Sequence, residues 1–229
     1  MRLTRSQTVM AVAAAVTLVM TMYGALVWAP TEKTMGDIQR IFYIHVPSAW
    51  NALLAFIAVF LVSIAYLVTK DLKWDRMGVA FAETGTIFCT AFLATGPIWA
   101  KPVWGIWWTW DARLTSSLVL WLLYVSYLLL RDFLEEPTRR ATLSAVFGIF
   151  AGVDVPIVYF SIRVWRTQHP QPVVMGGEGS GLDPAMSKVL LLSWVAFLIL
   201  FVFLVIFRMR LEKNREEVRQ LRRDRKSVV

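Results

Sequence analysis

The chain has 229 residues, 57% of them hydrophobic and only 17% charged, with a mean hydropathy of +0.56. An ordinary soluble domain carries about 25% charged residues, and one core of this size has no room for so much apolar surface, which excludes a water-soluble fold. The formal net charge of +8 does not point to nucleic acid: nine basic residues fall in the tail after Phe207, and most others sit in short stretches between apolar runs. In a membrane protein that pattern sets orientation.

Apolar segments of spanning length recur at about 9–29, 47–68, 77–98, 114–130, 141–162 and 188–207. They predict an all-α bundle of six transmembrane helices over residues 1–207, followed by a basic tail over 208–229. Arg2 and Arg5 before the first run superficially resemble a signal peptide. That run is long enough to span, and it passes through Trp28-Ala29 straight into Pro30, a poor cleavage context, so a retained first span is expected. Six spans put both ends of the chain on one side. Placing them inside gathers Arg2, Arg5, Lys70, Lys73, Arg76, Arg131, Arg139, Arg140 and the basic tail in the cytoplasm, an N-in, C-in orientation. Leu211, Val218 and Leu221 recur at helical spacings, so the tail is expected to extend the last span as a helix. It is read as solvated or lying on anionic lipid, with docking of a cytoplasmic partner as the alternative. The single cysteine, Cys89, lies inside an apolar run, so there is no Cys pair for redox chemistry.

The chemistry-bearing residues then fall outside. The first outer loop, about 30–46, ends in His45-Val-Pro47, with Pro47 read as the first residue of the second span, where its missing N–H costs nothing. The second outer loop, Trp99 to Thr115, holds five of the 11 tryptophans. If residues 104–111 are helical, Trp104, Trp107, Trp108 and Asp111 share one face, a flat aromatic surface ending in a carboxylate. An interfacial tryptophan belt explains that depth, but neither the one-face spacing nor the two histidines on the same side; a binding platform at belt depth accounts for both. The third outer loop, about 163–187, carries His169-Pro170, and the proline holds His169 extended. Its glycine run, Gly176 to Gly181, follows no strand and reads as a flexible linker. No Gly-x-x-x-x-Gly-Lys-Ser/Thr sequence occurs, so the chain does not hydrolyse ATP by that route.

His45 and His169 are the only histidines. A zinc site would want a third or fourth His, Cys or carboxylate, and nothing is spaced to supply one. Haem fits better: its iron accepts two axial imidazoles, its macrocycle packs on aromatic surface, and its propionates seek Arg or Lys. Trp104, Trp107, Trp108 and Trp110 supply the surface. Arg40, Lys101, Arg113, Arg163, Arg166 and Lys188 are the outer cations, with Arg40 and Arg113 taken into the site. Asp111 is read as holding an indole N–H or pairing with Arg113.

Trp104-Gly-Ile-Trp-Trp-Thr-Trp-Asp-Ala-Arg-Leu-Thr115 closely resembles the signature of the haem-handling proteins named for their Trp-Trp-Asp domain. The His-Val-Pro at 45–47, the second outer His at 169, the six spans and the length resemble the CcmC-type branch of that family, over essentially the whole chain. The resemblance implies a multi-pass protein of the bacterial inner membrane that holds haem b at its periplasmic face, with His45 and His169 as axial ligands. It implies presentation of that haem to the haem chaperone CcmE, beside the small subunit CcmD and the ATP-binding-cassette pair CcmA and CcmB. It also implies no enzymatic reaction in this chain. The larger haem synthetases of the superfamily need histidines inside their spans and an outer domain, and a cytochrome b-like carrier needs His pairs at mid-membrane; neither is available. Glu83 in the third span and Asp154 in the fifth speak for a different class, a transporter or channel subunit, because charges in a bilayer often mark a pathway.

Overall fold

The computed structural model of the chain describes residues 3–170 and 181–227. It has α1 (Arg5–Tyr23), continued by a π-turn to Trp28, then a short 3-10 turn (Asp37–Ile41) leading into α2 (Phe42–Thr69). These are followed by α3 (Leu72–Trp104), α4 (Ala112–Asp132), α5 (Pro137–Gly152), α6 (Asp154–Val164) and α7 (Pro184–Ser227). Six helical segments are long and apolar enough to cross a membrane, with α5 and α6 together forming one of them. This is an all-α membrane bundle, and the six predicted spans each match one of its segments, the first overrunning it by one residue at Ala29.

Acidic and hydroxyl residues start most of the helices. Thr4 and Gln7 form a reciprocal capping box on α1. Asp71, Asp111 and Glu136 cap α3, α4 and α5 by accepting backbone N–H bonds. The α5–α6 break falls at Val153, three residues before Pro156, whose missing N–H leaves the Gly152 carbonyl without its helical donor.

α2 is the central post. It packs along α3, and also on α5 and α7, while α1 lies outside against α7. Close approach comes from small residues. A Cβ on Gly85 of α3 would sit 2.7 Å from Ala55 on α2, and one on Gly148 of α5 would sit 2.7 Å from the Ser63 hydroxyl, so neither glycine accepts a side chain without moving α2. Between these contacts Phe56 stacks on Tyr124 of α4 with ring centres 3.7 Å apart, and the Tyr124 hydroxyl donates to the Phe56 carbonyl at 3.2 Å.

Two expectations change. The second span starts before Pro47: the 3-10 turn supplies carbonyls for the first N–H groups of α2, so Pro47 sits inside the helix and His45 on its first turn, not on a loop. Residues 105–111 are not helical. Gly105, at φ 78°, closes α3 with its N–H on the Lys101 carbonyl, and the chain restarts as a helix only after Asp111. Trp104, Trp107, Trp108 and Asp111 therefore do not share a helix face. The tail extends the last span as a helix, as its spacing predicts: α7 runs from Pro184 to Ser227 without a break. The linker reading of Gly176 to Gly181 lies, apart from Gly181, outside the described residues.

The ends of the bundle differ in kind. One carries the histidines and the tryptophan segment. At the other, Arg210 donates to Gln7 at 2.8 Å, so the first and last spans share an end. There Arg76 pairs with Glu216, while Glu212 is surrounded by Arg208, Arg215 and Arg219.

Candidate functional site

The two histidines, far apart in sequence, meet at one end of the bundle. His45 comes from the first turn of α2 and His169 from the segment after α6; their ring centres are 6.5 Å apart and their planes differ by 33°. His45 lies edge-on to Phe92 and Trp99 of α3, at 6.1 and 5.7 Å, and its Nδ1 is 3.0 Å from the Thr95 hydroxyl. The His169 Nδ1 is 2.9 Å from the carbonyl of Pro170. A carbonyl only accepts, so Nδ1 carries the proton and Nε2 is left with a bare lone pair. Burial and the nearby Arg113 guanidinium hold His169 down to about 4, so its imidazole is neutral at physiological pH. Neutral imidazole is the form that ligates metals.

Asp111 fixes the segment that carries His169. One carboxylate oxygen caps α4 by accepting from Leu114 N at 3.0 Å. The other accepts from the Thr109 hydroxyl at 2.9 Å and from Gln168 N, next to His169, at 3.2 Å. Burial alone would raise this carboxyl; the donors from Leu114, Thr109, Thr167 and Gln168 outweigh it and hold the group below the usual carboxylate range. Asp111 is thus a tether between the tryptophan segment and the segment carrying His169, and its described bonds include neither an indole nor Arg113. Arg113 instead donates to the Val158 carbonyl on α6.

Two of the tryptophans, Trp108 and Trp110, line an open hollow of about 580 Å³ together with Leu93 and Leu118, a volume within the range of small-molecule sites. Trp108 and Trp110 meet edge to face at 5.9 Å. Trp107 and Trp110 are 57% and 76% exposed, and Trp104 ends α3. The indole N–H groups of Trp99 and Trp108 are buried and have no partner among the described residues. Arg40 is engaged elsewhere: it binds Asp37 at 3.0 Å, the carbonyls of Ala25 and Ala29, and the Thr31 hydroxyl, bracing the end of the first span against the start of α2. Sequence reasoning missed Phe92, Thr95 and Trp99 as neighbours of His45. Their spacing of three and four along α3 was the available signal.

This donor set suits a metal that brings its own equatorial ligands. Among the described residues there is no group of three or more His, Cys, Asp or Glu that could hold a metal ion. Two imidazoles opposite one another on a single metal, each nitrogen about 2 Å from it, have ring centres on the order of 6 Å apart, close to the spacing seen. The two orphaned indole N–H groups and Arg113 are donors with capacity for an anionic substituent, and aromatic surface is at hand for a flat apolar one.

The family model described as heme exporter protein C matches residues 1–224. The heme exporter protein C of Bradyrhizobium diazoefficiens is 37% identical over 193 residues, covering 84% of this chain and 73% of that protein. That of Escherichia coli K12 is 33% identical over 217 residues, covering 93% and 87%. A putative cytochrome c biosynthesis ccmC-like mitochondrial protein of Marchantia polymorpha is 34% identical over 181 residues, covering 79% and 76%. With a bundle of six spanning helices, two converging histidines and a match along nearly its full length, the chain belongs to the heme exporter protein C family.

Proposed function

We propose that the chain binds haem b at the periplasmic surface of the bacterial inner membrane and presents it to the haem chaperone CcmE. It works there beside CcmD and the CcmA–CcmB pair, and catalyses no reaction itself. Family membership carries the coarser statement, a membrane protein of haem delivery in cytochrome c maturation. The finer reading sets the chain N-in and C-in, with the histidine end outside. His45 and His169 are the axial ligands, Trp104, Trp107, Trp108 and Trp110 pack on the macrocycle, and Arg113 with the Trp99 and Trp108 indoles serves the propionates. Asp111 and Arg40 act by holding the outer segments in place. The observation that carries the reading is the convergence of the only two imidazoles at 6.5 Å. Purified protein reconstituted with ferric haem is expected to give a low-spin bis-imidazole spectrum that His45→Ala and His169→Ala each abolish. A wild-type spectrum in both variants overturns the ligand assignment.

A transporter reading built on Glu83 and Asp154 has less support. Glu83 is held by Arg208 of α7, with one contact at 2.6 Å, and so pins two spans together. Only Asp154 keeps a buried carboxylate oxygen without a described partner. Glu83→Gln is expected to lower unfolding stability in detergent by about 1–3 kcal/mol, less than for a fully buried pair because Glu83 is partly exposed. Haem bound per folded molecule should stay unchanged; lost haem binding at unchanged stability would favour a pathway role.

A further inference from the structure

We propose that Thr95 is a positioning residue for His45: its hydroxyl fixes the imidazole in the Nδ1–H form and so leaves Nε2 as the bare, metal-facing nitrogen. The argument starts from the single proton on the hydroxyl. Thr95 Oγ1 lies 2.8 Å from the Ala91 carbonyl, one turn back in α3, and 3.3 Å from that of Phe92. Carbonyls only accept, so the hydroxyl proton is spent there. With the hydroxyl proton on the carbonyls, Oγ1 offers lone pairs toward His45 Nδ1, at 3.0 Å, and the ring nitrogen donates; the Phe92 backbone carbonyl, which also bonds the ring, favours the same protonated imidazole edge. The direction of the whole relay is set by a backbone carbonyl that cannot reverse.

The same helix contains an independent example of this geometry. Thr90 bonds back to the Thr86 carbonyl at 2.8 Å and accepts from the Trp121 indole, also at 2.8 Å. An indole N–H can only donate, so a back-bonded threonine on α3 acts there as an acceptor for a ring N–H on a neighbouring helix. Thr95 repeats the arrangement nearer the histidine end, with an imidazole in place of the indole. Packing supports the placement. The His45 ring lies flush against the α3 backbone at Gly96, where an added Cβ would touch Cε1 at 3.4 Å, and it is flanked edge-on by Phe92 and Trp99.

The consequence for a metal follows from general chemistry. An imidazole that donates its second N–H to a fixed acceptor has its tautomer and orientation set and its ligating nitrogen made more basic, and removing such a partner typically costs 10–100-fold in metal affinity. This deepens the axial-ligand reading of His45 and rests on it for its functional meaning. The tautomer assignment stands on the protein alone.

The test uses the full-length protein in detergent with Thr95→Val, which removes the acceptor at similar shape, and Thr95→Ser, which restores it. In apoprotein labelled with 15N-histidine, with His169→Ala to separate the two signals, His45 is expected as the Nδ1–H tautomer in wild type and Thr95→Ser. In Thr95→Val it is expected as a mixture or as Nε2–H. Titrated with hemin, Thr95→Val should bind about 10–100-fold more weakly with a smaller low-spin fraction, and Thr95→Ser should match wild type within about twofold. A His45 signal in the Nε2–H form in wild type, or Thr95→Val indistinguishable from wild type in both measurements, overturns the proposal. If wild type itself takes up no hemin, the axial-ligand reading falls, and the 15N spectra alone decide the role of Thr95.

Discussion

Arg131→Met is expected to destabilise the protein by about 3–5 kcal/mol, the cost of leaving a buried charge without its partner. Arg131, in the last turn of α4, forks onto Asp75, in the first turn of α3, with the second contact at 2.9 Å and both side chains at most 5% exposed. The placement adds to the pairing. A carboxylate at a helix start and a guanidinium at a helix end both oppose the local dipole, and the Tyr127 ring lies 5.8 Å from the guanidinium carbon. Removing the arginine leaves the buried Asp75 carboxylate without its forked partner, with Arg140 only an electrostatic neighbour; removing both charges removes that uncompensated carboxylate. Asp75→Leu with Arg131→Met is therefore expected to recover most of the loss, as a buried pair replaced by apolar groups of similar volume often does. Denaturant unfolding in detergent reads both. Haem bound per folded molecule should be unchanged, since twenty residues of α3, about 30 Å of helix, separate Asp75 from the Thr95–His45 contact. A loss under about 1 kcal/mol in the single variant, or no recovery in the double, sinks the account.

That pair marks a boundary of what the sequence shows. The six spans are legible because a bilayer demands about 20 apolar residues at a time and leaves no other way to satisfy the backbone. Their ends are not, because ends depend on local devices. Arg40 braces the chain before α2, Lys70 closes α2 in a left-handed conformation, and Gly105 stops α3 inside a run whose apolar spacing fits a helix. The 104–111 pattern was thus a true periodicity in a segment whose glycine and capping aspartate override it. The candidate site is legible in its residue types, since the chain holds two histidines and one tryptophan cluster. Its supports are hidden. Thr95 is one of four threonines in α3, where threonine usually bonds only to its own backbone. Glu83 and Arg208, or Asp75 and Arg131, become partners only once the helices are packed. Asp111 could be seen to matter, but not that its second oxygen reaches the backbone next to His169.

From that reach comes the second large effect. Asp111→Asn is expected to keep the fold and weaken haem binding about 10–100-fold, the cost of one charge-assisted hydrogen bond at about 1.5–3 kcal/mol. Asparagine is as good an N-cap as aspartate, so its single carbonyl oxygen can still accept from Leu114 N and start α4. It then turns an amide N–H₂ toward Thr109 and Gln168. The Thr109 hydroxyl adapts by reversing its role; the Gln168 backbone N–H cannot, and two donors face each other beside His169. The segment carrying His169 loses its fixed position, and the hemin complex should shift from six-coordinate low-spin toward a five-coordinate mixture, with helix content unchanged by circular dichroism. In wild type the tether persists under acid. The folded carboxyl is held below its ordinary value, so its contribution is complete above the unfolded value of about 4 and is lost only as pH falls through the lowered folded value. A double-mutant cycle separates tethering from a general effect. On a His169→Ala background there is no ligand left to misplace, and Asp111→Asn should then cost almost nothing further in hemin affinity. An equal loss in both backgrounds would mean that Asp111 acts through the tryptophan segment itself rather than through His169.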